Sequence, residues 1–166
     1  NDTLSAFDIK KEIEVIYNFV DLERFKKQKK DHFKRIICPN DEKLLVHTSN
    51  FRKVKRIDDI IKVFAKLKAE IPSKLLLVGD GPEGPALRET ARRLKLDGSC
   101  EFFPATRDVA PLLRDMDIFV LPSTSEAFSN AALEAMACGC AVVCSRVGGM
   151  PELTGENEER GLLFPS

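Results

Sequence analysis

From Leu44 onward, short runs that are apolar at nearly every position alternate with segments whose apolar residues recur every third or fourth place. The first kind predicts buried strands at Leu44–Thr48, Lys74–Val78, Cys100–Phe103, Ile118–Leu121 and Ala141–Ser145, with Gly161–Phe164 as a sixth. The second kind predicts amphipathic helices. In Ile57–Glu70 the residues Ile57, Ile60, Ile61, Phe64 and Leu67 share one face, and Pro72 closes the segment. Glu83–Leu96, Asp108–Met116 and Asn130–Cys138 read as helices too. The first forty residues are less regular, and Glu14–Tyr17 reads as an edge strand.

Strands that are apolar on both faces, each followed by a helix, make parallel sheets covered on both sides. The expected fold class is α/β, a doubly wound parallel sheet of Rossmann-like type, and residues 1–166 form a single domain. Ligands of such sheets sit outside the carboxyl ends of the strands. The informative loops are therefore those after Thr48, Val78, Phe103, Leu121 and Ser145.

Composition narrows the partners. Lys+Arg and Asp+Glu both number 26, so the formal net charge is zero, which argues against a polyanion as main partner. The densest basic run (Arg24, Lys26, Lys27, Lys29, Lys30, Lys34, Arg35) has only Phe25 and Phe33 interleaved. It reads as a solvated surface, not a nucleic-acid site. The five cysteines include no C-x-x-C pair and sit among small and apolar residues, where thiols pack; neither a metal site nor a disulfide framework is expected. No apolar run approaches the ~20 residues that span a bilayer. The polar opening Asn1–Lys11 is unlike a secretory leader, so no membrane insertion and a cytoplasmic location are expected.

Two segments carry chemistry. Gly79-x-Gly81-x-x-Gly84 follows a strand and opens a helix, as a dinucleotide fingerprint does. Pro82 has no N–H to offer, Asp80 would set a carboxylate against a pyrophosphate, and the motif is not in the first βα unit. It reads as a structural Gly-Pro turn that brushes a ligand. The second segment is Leu121–Ala137, where a strand ends, a small polar loop follows and a helix starts near Ser129 or Asn130. Unpaired amides and the positive dipole end make that start a ready diphosphate site. Ser129, Ala131 and Ala132 are small enough to admit a ligand. Glu126 and Glu134 flank the start with seven residues between them, and Ala131 stands where a capping box would need a polar residue. From spacing alone, each acid is equally a solvated carboxylate and a site residue.

Set in SEAFSNAALEAMACGCAVVCSRVGGMPEL, Glu126 and Glu134 resemble the Glu-(seven residues)-Glu motif of retaining glycosyltransferases of family four. Val147–Glu152, Asn18–Phe25 and Gly79–Glu83 are similar to three further segments of that family, in the same chain order. The resemblance implies the C-terminal, nucleotide-sugar-binding half of a GT-B fold, whose partner is an N-terminal acceptor domain that this chain lacks. It implies transfer of a sugar from a UDP-sugar to a small acceptor with no metal or other cofactor, and an isolated domain that is inactive. By position, Glu134 would accept hydrogen bonds from the ribose, and Glu126 with Phe128 and Ser129 would hold the donor sugar. The amides of Ser129, Asn130 and Ala131 would cradle the diphosphate. The base would lie near Gly79 and the loop Pro104–Arg107. Lys55 matches the family's phosphate-binding lysine, and Arg52 substitutes for an arginine whose usual place is taken by Asn50. The family's catalytic histidine belongs to the other domain; His32 and His47 do not match it, and His47 reads as packed.

A narrower resemblance, at Val15–Asp21 and His47–Arg56, is to N-acetylglucosaminyltransferases of bacillithiol synthesis, which implies UDP-N-acetylglucosamine as donor. Phe128-Ser129-Asn130 departs from the Phe-Gly-Leu of those enzymes. A nucleotide-sugar epimerase of the same fold and a non-catalytic nucleotide-binding module are the alternatives.

Overall fold

The computed structural model describes residues 14–28, 33–155, 157 and 159–166. Six strands form one sheet: β1 (Lys43–Asn50), β2 (Ser73–Asp80), β3 (Cys100–Phe103), β4 (Ile118–Leu121), β5 (Ala141–Ser145) and β6 (Leu162–Phe164). Their order is β3-β2-β1-β4-β5-β6 and every neighbouring pair is parallel. The helices are α1 (Phe33–Ile37), α2 (Ile57–Glu70), α3 (Gly84–Arg93), α4 (Ala110–Asp115), α5 (Asn130–Ala137) and α6 (Met150–Thr154). This is the doubly wound, Rossmann-like architecture that the periodicity predicted.

The apolar strands are explained by a core on each face. Leu44, Val46, Phe119 and Val142 pack with Leu113 of α4, Ala132 and Ala135 of α5 and Met150 of α6. Leu45, Leu75 and Leu77 point the other way, onto Ile57, Ile61 and Phe64 of α2 and Leu87 of α3. The five cysteines are buried and none of them forms a disulfide. Among the described residues no helix is long and apolar enough to cross a membrane.

Glu14–Tyr17 is not an edge strand. It is irregular and lies outside the sheet, with Val15 69% and Ile16 82% exposed. Side chains, not a backbone ladder, hold this stretch. The Tyr17 hydroxyl donates to Glu152 at 2.6 Å, and Asn18 Nδ2 donates to the Phe128 carbonyl at 3.0 Å. Two helices escaped the periodicity, α1 and α6, because five residues hold too few turns to show a stripe. Tertiary contact starts α1: the amides of Phe33 and Lys34 donate to buried Asp115. Within the basic run, Arg24 pairs with Asp108, Lys26 with Glu23 and Lys34 with Asp117. Lys29, Lys30 and His32 lie outside the described residues.

The glycine motif after β2 is a turn locked onto the loop after β1. Phe51 N–H donates to the Asp80 carbonyl at 2.8 Å, and Glu83 N–H donates to the Phe51 carbonyl at 3.0 Å. Gly81 N–H is taken by Asp80 Oδ1 and Gly84 N–H by the Gly81 carbonyl. With Pro82 having no N–H, these amides are spent inside the protein and cannot form a pyrophosphate cradle. Gly79 has φ +144°, and a Cβ there would stand 1.9 Å from the Ser49 carbonyl oxygen. Gly79→Ala should therefore cost about 2–3 kcal/mol through strain and displaced backbone. Chemical denaturation checks this, and a loss below about 1 kcal/mol would contradict so tight an approach.

Candidate functional site

The strand order reverses between β1 and β4, so the loops that leave their carboxyl ends diverge and open a crevice. Two adjoining cavities occupy it. One, of about 240 Å³, lies between Ser49 and Asn50 at the end of β1, Lys55, and the loop from Glu126 to Ala131. The other, of about 390 Å³, lies between Gly79, Thr106 and Glu134. Thr48, Ser49, Asn50, Asn130 and Ala131 line both, so the cavities meet at the start of α5.

Ser129 is the N-cap of α5, with extended backbone, and its hydroxyl accepts the Ala132 amide at 3.3 Å. The next two amides, of Asn130 and Ala131, have no acceptor within the helix, and both residues line the crevice. The helix dipole adds about half a positive charge at the same place.

Lys55 sits at the end of a short 3₁₀ turn, Lys53–Lys55, which enters the crevice from the β1 side. Its ammonium pairs with the Glu126 carboxylate, and the buried Ser123 hydroxyl donates to Glu126 Oε1 at 2.8 Å. The Lys55 and Glu126 side chains are only 19% and 11% exposed, so the pair is poorly screened and either partner alone would be costly. The Thr124 amide donates to the Val54 carbonyl at 2.9 Å and ties the two loops together.

Glu126 and Phe128 are braced from two sides. Behind them runs Val147–Glu152, where Gly148 has φ +50° and a Cβ would fall 1.6 Å from the Glu126 carbonyl oxygen. The Gly149 amide donates to the Ala127 carbonyl at 2.8 Å. Over them lies the stretch around Tyr17, whose ring centroid is 5.3 Å from that of Phe128.

Glu134, one turn into α5, is half-buried in the second cavity. Burial raises its carboxyl above the ordinary range, and the nearby Arg24 guanidinium opposes that shift. His47 is fully buried, as its reading as a packed residue requires. Its Nδ1 lies 2.8 Å from the Val120 carbonyl and its Nε2 2.7 Å from Ser49 Oγ. Burial lowers its pKa to about 4; Lys55 works in the same direction, while the Val120 carbonyl and Glu126 work against it.

The structure brings together Lys55, Glu126, Phe128, Ser129, Asn130 and Ala131 at the first cavity, and Glu134 and Gly79 at the second. It does not bring Arg52 there. That side chain lines a separate groove with Asp58 and Glu83, because the chain turns away between Asn50 and Lys55. Arg107 is exposed on the loop after β3, and its carbonyl accepts from Arg24 Nη2 at 2.7 Å. The neighbours Ala105 and Thr106 are the ones that line the cavity. Sequence reasoning passed over Ser49 and reached Thr106 only as part of the loop Pro104–Arg107; for both the available signal was position at a strand's carboxyl end. A larger, mostly apolar cavity of about 540 Å³, between α2 and Val120, Val143 and Phe164, contains none of the candidate residues.

A family model described as glycosyl transferases group 1 matches residues 42–166. The chain is 41% identical over 155 residues to the N-acetyl-alpha-D-glucosaminyl L-malate synthase of Bacillus anthracis, across 92% of this chain and 40% of that protein. It is 32% identical to the D-inositol 3-phosphate glycosyltransferase of Saccharomonospora viridis, across 89% of this chain and 37% of the relative. The chain thus spans well under half the length of these curated relatives. Among solved structures, Anabaena HepE in complex with UDP and glucose superposes with a TM-score of 0.81 at 25% identity, over 92% of this chain and 43% of that one. Sucrose-phosphate synthase from Thermosynechococcus elongatus gives 0.76 at 28% identity, over 88% and 38%.

Two outcomes follow for stability. Because folding raises the Glu134 pKa, its charge is a burden above the carboxylate range, and the burden vanishes as falling pH protonates it in both states. Glu134→Gln should raise the melting temperature at pH 7, and the advantage should fade on acidification through that range. For His47 the folded pKa is lowered, so the unfolded chain takes up a proton that the native one refuses. The native state should lose about 3 kcal/mol as pH falls from about 6.5 to about 4, and His47→Gln should flatten that part of the stability profile.

Proposed function

Because the chain belongs to the group 1 glycosyl transferases, we propose that it is the part of such an enzyme that holds a nucleotide-sugar donor, acting with a domain outside this chain that presents a small acceptor. The observation that carries this reading is convergence. Lys55 and the amides of Asn130 and Ala131 meet in one cavity, while Glu134 lines the adjoining one. A diphosphate needs the first set and a ribose needs the second.

As the glycosidic bond breaks, negative charge grows on the leaving β-phosphate. The amides at the start of α5 are already aimed there, and Lys55 adds a full charge once the diphosphate replaces Glu126 as its partner. In this reading these groups meet the diphosphate charge without a metal ion. When the diphosphate takes Lys55, the Glu126 carboxylate is released from its ion pair and can accept the sugar's hydroxyls, with Phe128 and Ser129 beside it. Glu134 accepts from the ribose hydroxyls, whose donated hydrogens compensate the charge that burial disfavours. The base lies against Gly79, Ala105 and Thr106, and Arg52 and Arg107 take no part.

Transfer occurs with retention, as in glycosyltransferases of family four, and the setting is the cytoplasm. UDP-N-acetylglucosamine is the donor we favour, since the malate synthase of Bacillus anthracis shares 41% of aligned residues and the matched HepE crystals hold UDP and glucose. The chain alone should bind donor and transfer little.

Calorimetric titration with UDP, GDP, ADP and NAD tests the assignment. UDP should bind best. Glu134→Ala and Lys55→Met should each weaken it about tenfold to a hundredfold, the worth of a charged hydrogen bond, with the far-UV spectrum unchanged. Indifference of UDP binding to both substitutions would refute the site.

A further inference from the structure

Resting on the donor-binding reading above, we propose that Ser49 determines specificity in this site: His47 holds its hydroxyl as a pure hydrogen-bond acceptor, which takes a hydroxyl or amide N–H of the sugar nucleotide and turns phosphate oxygens away. The polarity follows from one carbonyl. His47 lies fully buried on β1, with Nδ1 2.8 Å from the Val120 carbonyl oxygen and Nε2 2.7 Å from Ser49 Oγ. A carbonyl only accepts, so Nδ1 carries the ring proton. Burial keeps the ring neutral at physiological pH, and the two charged groups that act on it, Lys55 and Glu126, pull its proton affinity in opposite directions. Nε2 is then a bare lone pair, and the hydroxyl hydrogen of Ser49 is committed to it. A serine is ordinarily donor and acceptor at once; here one half of that capacity is already used.

Ser49 is half-buried and lines both cavities, at the point where they join. Its neighbours in the crevice, the Lys55 ammonium and the amides of Asn130 and Ala131, are donors. A phosphate oxygen that approached Ser49 would meet lone pair with lone pair and be steered to those donors. A hydroxyl or an amide N–H would find at Ser49 an acceptor that Glu126, engaged with Lys55, does not offer in the free protein. One acceptor among donors thereby sets the register of the ligand along the crevice. Ser49 is the contacting residue and His47 the positioning one.

The test is titration of the chain and its variants with UDP-N-acetylglucosamine, UDP and inorganic pyrophosphate at neutral pH. Ser49→Ala should weaken the sugar nucleotide about fivefold to tenfold, the worth of a neutral hydrogen bond, and leave pyrophosphate unchanged or tighter. A loss shared by UDP places the donated group on the nucleoside; a loss confined to UDP-N-acetylglucosamine places it on the sugar. His47→Phe, which frees the hydroxyl hydrogen, should shift the affinity ratio further toward pyrophosphate. His47→Gln, whose amide can both donate to Val120 and accept from Ser49, should restore the original ratio. That ratio is a readout that a purely structural role of His47 would not move. Ser49→Ala removes a single oxygen, so the test stands even if the His47 variants misfold. Nitrogen NMR of the complex should show a neutral ring protonated on Nδ1. An equal loss for all three ligands in Ser49→Ala, or a ring protonated on Nε2 in the complex, would overturn the assignment. Should the unsubstituted chain bind none of the three, the donor-binding reading fails and takes this inference with it. Should it bind them while Ser49→Ala keeps the original ratio, only the role of Ser49 fails.

Discussion

The reversal of strand order between β1 and β4 is the constraint on which the site depends. In a parallel sheet each strand hands its chain to one face or the other, and only where consecutive connections part to opposite faces is there open space at the strand ends. Here β1 leads to α2 on one face, and β4 leads to α5 on the other. The start of α5 is therefore exposed to a crevice instead of being buried under a neighbouring loop. Moved elsewhere in the sheet, the same helix would have its first amides capped by protein or water, and Glu134 would be an ordinary surface acid.

The groups in that crevice are not at rest energetically. Lys55 and Glu126 are paired with little solvent to screen them, and Glu134 carries charge where burial disfavours it. The first is satisfied only as a pair, and the second does not serve the free protein. Both suit an occupant that brings negative charge for Lys55 and hydroxyl donors for the two acids. Sites that must recognise a charged, hydroxyl-rich ligand are commonly held at some expense to stability. The surrounding scaffold tolerates this because it is over-determined, with Gly148 and Gly149 pressed against the Glu126–Phe128 loop from behind and the Tyr17 ring packed at a tilt over it.

Two glycine-rich turns show how one residue type serves different ends. Gly79 and Gly81 resemble a phosphate loop in spacing, yet the amides of their turn are consumed by Asp80, Phe51 and the turn itself. What glycine supplies there is close backbone approach, which holds the end of β2 against the end of β1 and so fixes Ser49 and Asn50 at the crevice. The turn at Gly148 does the same for Glu126. Neither makes a cradle for phosphate, and both decide where the loops that line the crevice can stand.

Much of this was written in the chain itself. Apolar runs such as Leu75–Val78 and the stripe Ile57, Ile60, Ile61, Phe64 can be buried in only one way, so the strands, the long helices and the α/β class followed from local pattern. The start of α5 at the crevice and the Glu126–Glu134 pair that flanks it were legible too, because a helix terminus and its flanking acids are close in sequence. What the tertiary structure alone decided are matters of long-range placement: that Arg52 turns out of the crevice while Lys55 turns in, that Thr106 and not Arg107 lines it, that Glu14–Tyr17 is held by side chains outside the sheet, and that a carbonyl on β4 sets the polarity of a serine on β1. Direction of a side chain and the identity of its distant partner depend on packing between elements, and no periodicity along a single chain encodes them.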